Sequence, residues 1–497
     1  MAIAFGTEGW RAVIAEEFTF ENVRLVTQAI ADHYLADRAG TVLAGERSES
    51  RSWDEGVSRR AGGATAAPRL AMAVGYDTRF LSDRFARAVC EVLAGNGIRC
   101  VLADRAVPTP AVSRQVVARR LVAGVVVTAS HNPPVYNGLK VKEAFGGSAT
   151  AETVQSIEKR IGRRPPARMS FERAVRQGLV QESNFLEAFL KGIRSYVNLR
   201  AIRQSRFKVL IDPMHGAADG LMQQLLEGGK LRVKTLHAEP DPLFGGHAPE
   251  PIPRYLTDLA REVRQGRWDV GLATDGDADR IGAVMPNGAF LNPGQVLCIL
   301  LEHLITTRKW KGAVVKTVSN TSMIDRMAQG LGLKLLEVPV GFKHITKLML
   351  EDEVLIGGEE SGGIGLQGYL PERDGMLMGL MVLEAMAMQG RGVQEILRRL
   401  EKRFGRWHYA RRDLTLSHEL AAKAFRRLAT HPPARVAGVP VAQVKTLDGV
   451  KLIDRQDNWL LFRRSGTEPI VRVYAEAGAS KHVNRLLDFG VQLVQAS

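Results

Sequence analysis

The sequence predicts an α/β protein of several domains, and three observations carry that prediction. At 497 residues the chain is too long for one core, and about three to four domains is the natural division. Short β-branched apolar runs alternate repeatedly with stretches of helical period, the pattern of sheets covered by helices. Several of the apolar runs stop at loops dense in Gly, Pro, Ser and charged residues, and in open α/β sheets that strand edge is where ligands bind.

Residues 1–165 read as the first unit. Phe5-Gly6-Thr7-Glu8-Gly9-Trp10-Arg11 looks like a turn presenting the Arg11 cation. From Phe20 to Arg38, Val23, Val26, Ile30 and Tyr34 recur at helical spacing. Residues 39–69 are rich in Gly, Ala, Ser and Arg without periodicity, so a flexible insertion in a surface loop is expected. Strands are expected at 70–75 and 98–103, around a helix that Ser82 caps and that carries Phe85, Val89 and Val92. The run 121–127 is a further buried strand, giving a parallel α/β domain. It stops at Thr128-Ala129-Ser130-His131-Asn132-Pro133-Pro134. Two prolines can neither extend a ladder nor start inside a helix, so Ser130 belongs on a rigid loop at a strand's carboxyl end. A hydroxyl there, with His131 beside it and Lys140 ten residues on, suits a nucleophile with a nearby proton acceptor. Taken alone, the Ser-His pair fits an ordinary polar turn as well.

A Pro/Arg-rich junction at 162–168 opens the second unit, 166–290. Its strand 268–274 runs directly into Asp275-Gly276-Asp277-Ala278-Asp279-Arg280. Carboxylates at alternate positions of an extended chain point to one side and make an oxygen-rich cation cage. An EF-hand is excluded, because Arg280 stands where position six requires Gly and Pro286 where position twelve requires Glu. Three carboxylates with room for one more anionic oxygen suit Mg²⁺.

The third unit, 291–405, has a strand at 312–318 that places Lys316 near a carboxyl edge, and a short turn at 338–343 that presents Lys343. In Gly357-Gly358-Glu359-Glu360-Ser361-Gly362-Gly363, four glycines let backbone and carboxylates approach a ligand closely. The string 363–368 fits GxGxxG, but Pro371 follows and no βαβ context surrounds it, so it is not a dinucleotide site. The last unit, 406–497, reads as a smaller α+β domain with a hairpin at 450–462. Its loop Arg463-Arg464-Ser465-Gly466-Thr467-Glu468-Pro469 offers a guanidinium, hydroxyls and glycine amides, the parts of a phosphate cradle.

Five of these stretches, in this order, resemble the motifs of the α-D-phosphohexomutase family: FGTEGWR, TASHNPPVYNGLK, DGDADR, GEESGG and RRSGTEPIVRVY. The resemblance covers nearly the whole chain and implies a four-domain, heart-shaped α/β architecture with one loop from each domain in a central cleft. It implies that Ser130 carries the exchanged phosphoryl group, that Arg11 reaches it, and that Lys140, with His131 near, serves as proton acceptor. It implies Mg²⁺ on Asp275, Asp277, Asp279 and the Ser130 phosphoryl oxygen, with Arg280 drawing off charge. It assigns Glu359 and Ser361 to sugar hydroxyls, Lys343 and Lys316 to the sugar phosphate, and Arg463, Ser465, Gly466 and Thr467 to the phosphate clamp. The implied reaction interconverts glucose 1-phosphate and glucose 6-phosphate through glucose 1,6-bisphosphate. Glu360 and Gly363 stand where the family's glucosamine mutases usually have Gln and His, which favours glucose, with mannose next.

Composition agrees with such a chain. Hydrophobic content of 45% and charged content of 24% are ordinary for a globular protein. No apolar run approaches the roughly 20 residues that cross a bilayer, and the N-terminus lacks the charged lead and apolar core of a signal peptide. Cys90, Cys100 and Cys298 form no CxxC pair, as expected in a reducing cytoplasm. The net charge of +15 is spread over helices and aromatics are only 6%, which argues for small anions rather than nucleic acid as partners. A monomer and a homodimer are equally compatible with the sequence.

Overall fold

The computed structural model describes residues 3–6, 9–44, 70–416, 418–464 and 470–495. Its first sheet holds β1 (Trp10–Val13), β2 (Ala71–Tyr76), β3 (Arg99–Ala103), β4 (Ala123–Val127), β5 (Tyr136–Glu143) and β6 (Val180–Ser183), in the order β1-β5-β4-β2-β3-β6. Strands β4, β2, β3 and β6 run parallel, and the continuous burial of β4 at the centre reflects cover on both faces. The sheet is mixed rather than wholly parallel: β5 turns back antiparallel on β4, and β1 pairs antiparallel with β5. Pro133 and Pro134 therefore sit in the loop of a wide hairpin, and Lys140 lies on a strand rather than in the loop.

Three further expectations change here. Arg11 is on β1, opposite Gly138, and not in a turn. The helix Phe20–Ala44 continues into the segment expected to be a loop from residue 39; residues 45–69 lie outside the described ones. Finally, β6 joins the first sheet, so that sheet extends beyond the junction expected at 162–168.

The second sheet has β7 (Lys208–Asp212), β8 (Arg232–Thr235), β9 (Val270–Thr274), β10 (Ile281–Val284) and β11 (Phe290–Leu291), ordered β11-β10-β9-β7-β8. The third has β12 (Ala313–Thr317), β13 (Leu335–Val338), β14 (Val354–Gly358) and β15 (Ile364–Leu366), ordered β13-β12-β14-β15. The last is antiparallel throughout: β16 (His408–Thr415), β17 (Arg435–Val436), β18 (Val439–Lys445), β19 (Val450–Asp454), β20 (Trp459–Arg464) and β21 (Ile470–Ala477), ordered β16-β21-β20-β19-β18-β17.

One apolar core runs from Ala73 in the first unit through Leu272 in the second to Leu380 in the third. The last unit has its own core around Leu460, Val473 and Leu486. The helix Pro293–Thr306 starts at a capping box of Asn292 and Gln295, with Pro293 at its first position. The helix Gly375–Gln389 is buried on nearly all sides and is capped by Asp374. Among the described residues, no helix is long and apolar enough to cross a membrane.

Candidate active site

The loops that end β4 and β9 meet face to face. Ser130 is fully buried with φ of 54°, a left-handed conformation that an L-residue adopts only when its surroundings hold it there. Its hydroxyl donates to Asp275 Oδ2 at 2.8 Å, and its amide donates to Thr128 Oγ1 at 2.9 Å. His131 Nδ1 lies 3.4 Å from the same hydroxyl. Burial, then Arg280 and Arg11, hold the His131 pKa well below the usual histidine range, so the ring is uncharged at neutral pH. Arg11 Nη1 donates to Asn132 Oδ1 at 2.8 Å, which ties β1 to the serine loop.

The three aspartates converge, but not by alternation along an extended strand. Residues 275–280 form the tight turn between β9 and β10, closed by the Ala278 amide on the Asp275 carbonyl at 2.9 Å. Ala278, with φ of 59°, reverses the chain so that Asp277 and Asp279 swing to the same side as Asp275. All three are fully buried, with one oxygen from each within 4.8 Å of the others. Thr109 Oγ1 and Lys140 Nζ donate to Asp277 Oδ2 at 2.5 and 2.7 Å. Lys140 Nζ and Arg373 Nη2 donate to Asp279 Oδ2 at 2.8 and 2.5 Å. Asp277 Oδ1 and Asp279 Oδ1 are buried without a hydrogen-bond donor.

Two orphaned carboxylate oxygens beside a third carboxylate and a hydroxyl form an all-oxygen donor set that fits a hard divalent cation such as Mg²⁺. Burial, followed by repulsion from Asp279 and Asp277, pushes the Asp275 pKa well up. Burial and Asp279 act the same way on Asp277, but Lys140 and the Thr109 hydrogen bond outweigh them and lower it.

Gly276 shows how closely the two loops approach, since a Cβ there would sit 2.7 Å from the Ser130 carbonyl oxygen. Gly375 does the same on the other side, its Cβ position being 2.1 Å from the Arg280 carbonyl oxygen. The Arg280 amide donates to Asp275 Oδ1 at 3.0 Å, and its guanidinium lies 4.0 Å from Asp279.

The third unit contributes Glu359, buried after β14. Its Oε1 accepts from the Gly341 amide at 3.1 Å, and its Oε2 faces Arg373 Nη1 at 3.3 Å. Ser361 is partly exposed two residues on. Lys343 is in the first turn of the helix Phe342–Glu351, not in a turn before it. Lys316 is fully buried, and its ammonium contacts Asp325, with Glu337 at 3.8 Å. Arg463 is the penultimate residue of β20, its Nε donating to Asp448 at 2.7 Å. Ser465, Gly466 and Thr467 lie outside the described residues.

The sequence reading missed Arg373, which joins Asp279 to Glu359, and Arg79, which grips the serine loop. Both sit in short stretches between a strand and a helix, PERDG and YDTRF, that offer only weak signals by themselves.

Comparison with known proteins bears on this arrangement. The four domains of the phosphoglucomutase/phosphomannomutase family match in order: α/β/α domain I at 57–167, domain II at 187–288, domain III at 292–404 and the C-terminal domain at 425–491. A phosphoglucomutase/phosphomannomutase of Thermococcus kodakarensis is 28% identical over 496 residues, covering 100% of this chain and 99% of its own. A phosphoglucosamine/phosphogalactosamine mutase of Sulfurisphaera tokodaii is 27% identical over 492 residues, covering 98% of each chain. The solved "putative phosphomannomutase" of Thermus thermophilus is 35% identical, with a TM-score of 0.83 over 100% of this chain and 99% of its own. Four domain matches in register, on a chain whose serine and aspartate loops meet, identify it as a member of the phosphoglucomutase/phosphomannomutase family, the α-D-phosphohexomutases.

Proposed function

We propose that the protein interconverts glucose 1-phosphate and glucose 6-phosphate by way of phosphorylated Ser130. The observation that carries the reading is the Ser130 hydroxyl, 2.8 Å from Asp275 and beside two orphaned carboxylate oxygens. Phosphorylated Ser130 transfers its phosphoryl group to the 6-hydroxyl of glucose 1-phosphate: the P–Oγ bond breaks, a P–O6 bond forms, and the hydroxyl proton passes to a neighbouring base. Glucose 1,6-bisphosphate turns over in the cleft and returns its other phosphoryl group to Ser130, leaving glucose 6-phosphate.

Asp275, Asp277, Asp279 and the Ser130 oxygen would hold Mg²⁺, which would supply positive charge against the transferring phosphoryl group. Arg280 and Arg11 face the same centre. His131 is uncharged as it stands, whereas Lys140 donates to Asp277 and Asp279 as an ammonium and can accept a proton only once it has given one up. Glu359 and Ser361 hold sugar hydroxyls, and Arg463, Ser465, Gly466 and Thr467 hold the phosphate that does not react, with Lys343 on the same phosphate. These contacts are common to both poses of the bisphosphate. Three buried free thiols suit a cytoplasmic enzyme.

Relatives named for mannose and for glucosamine keep those sugars as the second reading. The test is intact mass with peptide mapping, before and after glucose 1,6-bisphosphate and Mg²⁺. The expected result is a phosphate on Ser130 that glucose 1-phosphate discharges as glucose 6-phosphate appears. Ser130 never phosphorylated would overturn the route, and a higher kcat/KM for mannose 1-phosphate or glucosamine 1-phosphate would overturn the sugar.

A further inference from the structure

Arg79 follows β2, outside the five motifs, yet it is the most heavily committed side chain beside the serine loop. It is 3% exposed, and all five of its N–H donors are used. Nη2 donates to the carbonyls of Ser130 and Asn132, both at 2.6 Å. Nη1 donates to the carbonyls of Pro133 at 2.8 Å and Tyr136 at 3.0 Å. Nε donates to Asp77 Oδ2 at 3.1 Å. A single guanidinium thus fixes four carbonyls spread over seven residues of the loop that carries Ser130.

Asp77 completes the grip from behind. It accepts from the Thr128 hydroxyl at 2.5 Å and the Ser82 hydroxyl at 2.9 Å. Thr128 Oγ1 in turn accepts from the Ser130 amide. Both peptide groups that flank the left-handed Ser130 are therefore held by one ion pair, Asp77–Arg79.

The second unit closes the other face. The Phe244 ring lies under the Arg79 guanidinium, 4.9 Å from centroid to Cζ. Phe244 has φ of 51°, a conformation rare for a bulky aromatic. It is kept there by its own amide on the Asp241 carbonyl at 3.0 Å and by Asp241 accepting from the Leu243 and Gly245 amides, each at 2.9 Å. Thr78 Oγ1 adds a bond to the His215 carbonyl at 3.1 Å. Two residues in disfavoured conformations, one carrying the reactive hydroxyl and one belonging to the unit that holds the aspartates, are thus joined through one buried cation. Strain concentrated this way marks a place where geometry is being imposed for function.

We propose that Arg79, stacked on Phe244, is a positioning residue that sets Ser130 against the three-aspartate loop for phosphoryl transfer. This rests on Ser130 being the phosphoryl carrier. Lysine cannot replace Arg79, because three tetrahedral donors cannot serve five acceptors arranged around a planar fork. Arg79→Lys should therefore lower kcat on the order of 100-fold while KM for the sugar phosphate stays within about twofold, since the sugar contacts lie in other units. Phe244→Leu, which keeps an apolar side chain but removes the aromatic face, should lower kcat several-fold with KM unchanged.

The experiment compares wild type, Arg79→Lys and Phe244→Leu by thermal unfolding, by kcat and KM, and by phosphate release from Ser130-phosphorylated protein without sugar. Lowered kcat at constant KM in folded protein, with more of the phosphoserine lost to water than in wild type, supports the proposal. Wild-type kcat in folded Arg79→Lys overturns it. If Arg79→Lys does not fold, Phe244→Leu decides: reduced kcat at constant KM supports, wild-type kcat overturns. Failure of the underlying reading shows separately, as a wild-type protein that never takes phosphate on Ser130.

Discussion

Gly276→Ala tests whether the contact between the two loops governs catalysis. The added Cβ would lie 2.7 Å from the Ser130 carbonyl oxygen and 2.9 Å from Pro249 Cγ. Gly276 is not among the glycines with positive φ, so alanine suffers no conformational penalty and the obstacle is space alone. Heavy atoms rest at about 3.5 Å, so the loops must part by roughly 0.8 Å. The Ser130 carbonyl cannot drift away cheaply, because Arg79 holds it at 2.6 Å. Overpacking of this kind costs about 1–3 kcal/mol of stability. A displacement approaching 1 Å between reacting groups costs on the order of 100-fold in rate, about 2.7 kcal/mol. Thermal unfolding, kcat and KM, and the Mg²⁺ dependence of both are measured beside a Gly220→Ala control, where a Cβ meets nothing within 4 Å. Turnover within twofold of wild type and an unaltered Mg²⁺ dependence would refute the idea that the loops are held at a critical separation.

Four further outcomes are expected. Lys140→Met leaves Asp277 and Asp279 with less neutralising charge, so its melting temperature should fall and Mg²⁺ should raise it more than in wild type; equal Mg²⁺ shifts would contradict this. Gly363→Ala places a Cβ 2.2 Å from Arg373 Cδ, so Arg373 must leave Asp279 or Glu359, and KM for the sugar phosphate should rise several-fold by steady-state kinetics. Arg463→Ala should raise KM by about 10- to 100-fold, the worth of charge-assisted hydrogen bonds, with a smaller effect on kcat. Glu384 is opposed by burial but accepts from His303, Arg308 and the Asn198 amide, which together lower its pKa to about 2. Its contribution, on the order of 3 kcal/mol, is complete above its usual 4.5 and is lost as pH falls from there through 2. Glu384→Gln should flatten that acid limb in denaturant titrations, and an unchanged limb would show the network to be unimportant.

Much of the site was legible because its residues are neighbours in the chain. Ser130 with His131, and Asp275 with Asp277 and Asp279, announce themselves through an apolar strand that ends in a polar loop. The hairpin of β19 and β20 follows from apolar pattern and turn residues in the same way. Local pattern misled where a partner elsewhere decided the outcome. Arg11 reads as a turn residue but becomes an edge strand because β5 supplies a ladder. Lys316 reads as a residue near a strand's carboxyl edge, and nothing in that strand announces Asp325 and Glu337 as partners of its ammonium.

What the amino-acid order alone determined, then, is the set of groups: a hydroxyl, three carboxylates, and glycines that let backbones approach. Geometry came from tertiary structure. The left-handed turn at Ala278 converges the carboxylates, Arg79 fixes the four carbonyls around Ser130, and Arg373 links Asp279 to Glu359 across 80 residues of sequence. Buried charges of this kind are tolerated only when partners satisfy them, and apart from Asp77 beside Arg79 those partners come from other elements, outside any local sequence window.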